Sequence, residues 1–230
     1  MKQQSVETPE VEELGAVAMT KTEQFFEENG KKLTGVIFLL FVVAAAIFGY
    51  KSMILEPREQ RAAAAIFPSQ SIFEAAAPDY QVALEGDPSS IGFLAVIEEY
   101  GSTATGNIAN HYAGVCYMKL GDFDNALKYL KAYKKQKGSA AQIIYAQNIG
   151  LQGDIAVEKG DYSGAVALFK SAATSSENPL TTPMYLRKAG VAAKAVGNSD
   201  EARKLFESVV REYPSTMEAR TAEKYLGTIK

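Results

Sequence analysis

The stretches GDFDNALKYLKAY (121–133), GDYSGAVALFKSA (160–172) and GNSDEARKLFESV (197–209) open alike and then differ at most of their polar positions. Gly121, Gly160 and Gly197 stand 39 and then 37 residues apart. Self-similarity at a near-fixed period of this size marks stacked structural units, each too small to bury its apolar face alone.

The shared positions extend on both sides of these glycines. Gly114, Tyr117, Gly121, Phe123, Ala126 and Leu130 recur as Gly153, Ala156, Gly160, Tyr162, Ala165 and Phe169, and again as Gly190, Ala193, Gly197, Ser199, Ala202 and Phe206. Each type has a physical role. A glycine inside a helix costs about 1 kcal/mol against alanine, so Gly114, Gly153 and Gly190 imply a second helix passing close by. The next glycine ends the first helix, because glycine adopts the left-handed conformation without steric cost. Asp122, Asp161 and Ser199 are the expected caps of the second helix. The alanine lets the two helices approach, and the leucine or phenylalanine four positions on fills the space between neighbouring units. An irregular helical bundle is the alternative, but it gives no reason for the shared period.

This order of small and large residues resembles the tetratricopeptide repeat, a helix–turn–helix unit of about 34 residues. The resemblance implies an all-α, TPR-type helical-hairpin solenoid, with units near 107–140, 146–179 and 183–216 and the surplus residues in loops between them. A solenoid needs capped ends. STMEARTAEKYLGTIK (215–230) suits a capping helix with Ala219, Ala222, Tyr225 and Leu226 turned inward, and the helix expected at 91–101 closes the front. In this repeat family the first helix of each unit lines a concave groove. The matching positions are Ile108, His111, Val115, Met118 and Lys119 in the first unit. They are Gln147, Gly150, Asp154, Val157 and Glu158 in the second, and Met184, Arg187, Val191, Lys194 and Ala195 in the third. The subtype that clamps the acidic C-terminus of cytosolic chaperones uses a lysine and an asparagine where this chain has His111 and Val115. The groove therefore suits an extended or helical protein segment of mixed character.

Upstream, LTGVIFLLFVVAAAIFGY (33–50) carries no charge. Eighteen helical residues span about 27 Å, close to the hydrocarbon thickness of a bilayer. Its eleven Leu, Ile, Val and Phe residues contribute roughly −3 to −6 kcal/mol to insertion. A buried core helix would show a polar face over this length. A cleaved signal peptide would begin with a short basic region, whereas 32 residues that include Glu23, Glu27 and Glu28 come first, even though Ala44–Ala46 could serve as a cleavage site. The expectation is an uncleaved single-pass anchor. Lys21, Lys31 and Lys32 on one side and Lys51, Arg58 and Arg61 on the other leave its orientation undecided. Residues 1–20 are expected to lack regular structure. TKTEQFFEENGKK (20–32) reads as a short helix with Phe25 and Phe26 at the membrane surface, and 51–90 as a connector. In that connector a helical stalk is broken at Pro68, a second stretch ends at Pro78, and LEGDPSS (84–90) forms a turn.

The remaining composition points away from catalysis and from nucleic acid. A net charge of −3 offers no basic character for a polyanion. One cysteine, Cys116, permits no internal disulfide. His111 is the only histidine, and the five-residue spacing places Cys116 off its helical face. No phosphate-cradling loop, cofactor motif or metal-ligand cluster is present. A hydrolase built on connector acids such as Asp79 or Glu85 has little support.

The order of elements, with FFEENGK before the span and degenerate repeats after it, looks like the YfgM-like ancillary subunits of the bacterial SecYEG translocon. That resemblance implies a short cytoplasmic N-terminus, an inner-membrane anchor at 33–50 and a periplasmic repeat domain. It implies a scaffold that assists secreted chains or recruits periplasmic chaperones beside the SecYEG translocon. A general envelope-assembly or cell-division scaffold is the alternative.

Overall fold

The computed structural model describes residues 10–229, which form two compact units divided between Pro57 and Arg58. The first unit contains one long helix, α1 (Glu10–Tyr50), followed by a π-helical turn at Lys51–Leu55. The expectation that residues 1–20 are irregular lies outside the described residues for 1–9 and is corrected from Glu10 onward. No proline falls between Glu10 and Tyr50, and once a helix is nucleated each further residue adds a hydrogen bond. The 33–50 span lies wholly within α1. Its 18-residue window has a mean hydropathy of 2.4, and none of it is buried. Phe38, Phe41 and Phe48 are 67–73% exposed. By length and composition the helix is able to cross a bilayer.

The second unit opens in α2 (Glu56–Phe73), which passes through Pro68 without breaking. Proline forfeits one backbone bond, but the turn that follows is held from outside. Ile66 and Ser69 are buried, the Ser69 hydroxyl donates to the Ile91 carbonyl, and Phe73 meets the rings of Tyr80, Phe93 and Tyr112 edge-on. Pro78 falls in the non-helical stretch before α3 (Tyr80–Glu85). A two-residue antiparallel ladder follows, β1 (Gly86–Asp87) with β2 (Ser90–Ile91). The Asp87 carboxylate closes this turn by accepting from the backbone and hydroxyls of Ser89 and Ser90, which holds its pKa below the ordinary value. α4 (Phe93–Tyr100) then presents Phe93 and Val96 to the interior. Residues 58–91 thus contribute to the core and do not merely connect.

Three antiparallel hairpins follow. They are α5 (Ala104–Lys119) with α6 (Phe123–Ala132), α7 (Ser139–Glu158) with α8 (Tyr162–Ser175), and α9 (Thr182–Ala195) with α10 (Ser199–Glu212); α11 (Met217–Leu226) caps the stack. Gly121, Gly160 and Gly197 have φ of 77–83°, the left-handed values that stop each first helix. Asp122 and Asp161 cap α6 and α8 by accepting from Asn125 N and Gly164 N. In the third hairpin the cap is Asn198, which accepts from Glu201 N; Ser199 is the first helical residue. The surplus residues are not all in loops. α7 has 20 residues where α9 has 14, so part of the longer period is an added turn of helix.

The glycines inside the first helices are contact points. A β-carbon on Gly114 would lie 2.6 Å from Leu130, one on Gly153 2.7 Å from Phe169, and one on Gly190 2.6 Å from Phe206. Each large residue therefore seats on the glycine of its own hairpin. Its other side faces the next element: Phe169 stacks on Tyr185 at 6.5 Å and Phe206 on Tyr225 at 5.1 Å. Ala126, Ala165 and Ala202 are completely buried beside these contacts.

The apolar interior has two main bodies. The front one joins Ile66, Ala83, Leu84, Phe93 and Val96 to Ala109, Ala113 and Cys116. The rear one runs through α7–α11 and includes Ala219 and Ala222, with Tyr225 and Leu226 against it. Between them lies a small cluster of Ala126, Leu130 and Ile155.

Replacing Gly190 by alanine overpacks the Phe206 contact and is expected to destabilise the full chain by about 1–3 kcal/mol. Thermal unfolding in detergent, followed by circular dichroism, measures this. Adding Phe206→Leu should restore part of the loss, because the shortened side chain vacates the space the new methyl needs.

Candidate functional site

The expected groove residues do not share one surface. Asp154 and Val157 on α7 and Arg187 and Val191 on α9 converge on one cavity of about 200 Å³, floored by Phe169 and Ala192 and edged by Tyr162 and Tyr225. Asp154 and Val157 stand one turn apart on α7 and Arg187 and Val191 likewise on α9, and Phe169 of α8 seats on Gly153 of the first helix and stacks on Tyr185 of the second.

The cavity holds an ion pair that spans two units. Lys188 Nζ lies 2.8 Å from both carboxylate oxygens of Asp154 and 5.5 Å from the centroid of the Phe169 ring. Arg187 reaches Glu218 on α11 only at 4.0 Å, so its guanidinium keeps donors for another acceptor. Beside this pair, burial pushes the Tyr185 hydroxyl up to about 12, with the Asp154 charge adding to the effect. Tyr185 covers Gly150 so closely that a β-carbon there would lie 2.1 Å from its ring, which removes Gly150 from the accessible surface.

The other expected residues lie elsewhere. Lys194 leans over the Tyr225 ring and donates to Thr228 Oγ1 at 2.7 Å. Glu158 is exposed at the end of α7. Ile108 lines a separate cavity of about 260 Å³ with Tyr133, Ala141 and Ile144. At its edge the Glu59 carboxylate accepts from Ala104 N and Thr105 N, and so caps α5 from 45 residues away. Val115 is half-buried on α5, and Met118 packs on the Ala126–Leu130–Ile155 cluster.

His111 sits at the junction of the first two hairpins. Its ring lies 5.8 Å from Tyr133 and 6.1 Å from Tyr112, and Nδ1 is 3.3 Å from Asn148 Nδ2 on α7. Burial lowers its pKa to about 4. The same cause pushes the Cys116 thiol up to about 12, which keeps it protonated and unreactive. Asp79 accepts from Val82 N at 3.0 Å as the cap of α3, a structural use of that carboxylate. Among the described residues no three His, Cys, Asp or Glu side chains gather closely enough to hold a metal ion.

Sequence reasoning missed Lys188 and Tyr225. Lys188 follows Asp154 by 34 residues, and opposite charges about one unit apart on facing helices are the signal that would have found it. Tyr225 was read only as a capping contact.

The folded pKa of His111 is depressed from 6.5 to about 4. The unfolded chain therefore binds a proton across that interval while the folded chain does not. Its contribution to stability is complete above pH 6.5 and is lost as pH falls toward 4. The thermal midpoint of the His111→Gln chain should fall less steeply over this window than that of the parent. Parallel slopes would contradict the burial of a neutral imidazole.

A family model described as a tetratricopeptide repeat matches residues 109–136 and 185–216. These ranges cover most of the α5–α6 and α9–α10 hairpins; α7–α8 lies between them and shares their interlock. No curated protein matches the chain. With this match and three hairpins closed by the same glycine contact, the chain carries tetratricopeptide repeats arranged as a helical stack.

Proposed function

We propose that this chain is a single-pass membrane scaffold whose repeat domain holds protein segments close to a bilayer. Tetratricopeptide repeats are protein-binding units. The observation that carries the reading is the cavity at Asp154, Val157, Arg187 and Val191. A partner's apolar side chain would shed water against Val157, Phe169 and Val191, while Arg187 offers donors to its backbone or to an acidic neighbour. Ile108, His111, Val115 and Met118 on α5, and Glu158 and Lys194, lie outside this cavity.

The α1 span supports the anchor half of the reading. Bare apolar side chains over residues 33–50 are costly in water and favourable in hydrocarbon. Tethering then raises the effective concentration of the groove toward partners in the same membrane. By its resemblance to the YfgM-like subunits, the chain acts at the bacterial inner membrane with its repeats in the periplasm. Its partners there are the SecYEG translocon or periplasmic chaperones, and its work is secretion or envelope protein biogenesis.

A photoreactive phenylalanine derivative at Val191, activated in living cells, tests the groove and the partner together. Adducts containing a Sec component or an envelope chaperone are expected, and the same probe at the outward-facing Lys170 should give few. Equal labelling from both positions would contradict the groove. A partner set made of division or surface-assembly factors would replace the translocon role with the alternative scaffold.

A further inference from the structure

Between Asp124 and Asp154 the chain has five lysines, no arginine and no acidic residue. Lys128, Lys131, Lys134, Lys135 and Lys137 lie along the end of α6 and the loop to α7, and all are exposed. Among the described residues none of the five forms an ion pair, although Asp124 pairs with Lys159, Asp154 with Lys188 and Glu201 with Lys170. The contacts that do order this segment leave its charge free. The Lys134 backbone exchanges two hydrogen bonds with the Asn107 side chain, at 2.7 and 2.8 Å, and Tyr133 is buried beneath it. Lys128 and Lys135 lean on Tyr129 and Tyr145, and the exposed Lys135 ammonium donates one hydrogen bond to the Ser175 carbonyl at 3.4 Å, which leaves its charge unneutralised.

We infer that this lysine ridge docks the repeat domain onto anionic phospholipid headgroups. The inference rests on the reading of residues 33–50 as a membrane anchor. Three observations favour lipid over an acidic protein. The charge is carried by lysine alone, whose compact, mobile ammonium suits a diffuse field of phosphates better than paired carboxylates at fixed positions. The ridge is exposed, with none of the five lysines lining either cavity described above. Only seven residues, 51–57, separate the apolar span from the repeat unit, so the chain that carries the ridge is tethered to the anchor by a short segment. Docked this way, the domain would have a preferred face toward the membrane, and the orientation of its groove would depend on lipid charge and on salt.

Lysine acetylation rates of the full chain in nanodiscs test the inference. One set contains only phosphatidylcholine, the other roughly three parts in ten phosphatidylglycerol. The five ridge lysines should react about fivefold more slowly in the anionic discs, and high salt should restore their rates, while Lys204 on α10 reacts alike in both. Equal ridge rates in the two lipids would overturn the inference and leave the anchor intact. Protection that appears only when native membrane proteins are added would assign the ridge to an acidic protein partner and overturn it too. Failure of the chain to enter discs at all would overturn the anchor reading, and the inference with it.

Discussion

The fold depends on one contact made three times: a large side chain on the second helix of a hairpin pressed into a glycine on the first. At Gly114–Leu130, Gly153–Phe169 and Gly190–Phe206 any side chain on the first helix would collide with the second. The glycine gives up helix propensity, roughly 1 kcal/mol, and gains an approach close enough to bury a whole ring. Because Phe169 and Phe206 also stack on Tyr185 and Tyr225, the contact that closes one hairpin supplies the platform for the next element. Hairpin closure and stacking are therefore a single packing event in the rear half.

The first hairpin is joined differently. Leu130 takes the place of a phenylalanine, and the apolar bridge to α7 narrows to Ala126, Leu130 and Ile155. Polar contacts do much of the remaining joining, through Asn107 with Lys134, His111 with Asn148 and Asp124 with Lys159. Hydrogen bonds and exposed ion pairs of this kind contribute about 1 kcal/mol or less each. The helical stack thus has a firm rear part, where the Asp154–Lys188 cavity lies, and a more weakly joined front part.

Much of this was legible in the sequence because the interlock consists of residue types that have few other uses at such spacing. Glycine within a helix, glycine at its end and a large residue at fixed offsets gave the hairpins and their order. Pro68 was misread because its cost is local and visible, whereas the burial of Ser69 and the ring cluster around Phe73 that offset it come from distant parts of the chain. Ser199 was taken for a cap because serine and asparagine both serve there, and only the backbone shows that Asn198 holds the position. The groove was read from a positional rule, which placed Asp154, Val157, Arg187 and Val191 together. The same rule missed Lys188, since it describes which way a helix faces and says nothing about charges pairing across units. His111 illustrates the converse: its position suggested a groove wall, but the α6–α7 loop folds Tyr133 against it.

Native-state hydrogen exchange of the full chain in detergent is the most direct test of the interlock. If the Gly153–Phe169 contact binds α7 and α8 into one cooperative element, their slowest amides should exchange through a common opening with the same free energy and the same denaturant dependence. Slow exchange in α7 that is independent of α8 would contradict the account, because it would mean that the helices are held by something other than their contact with each other.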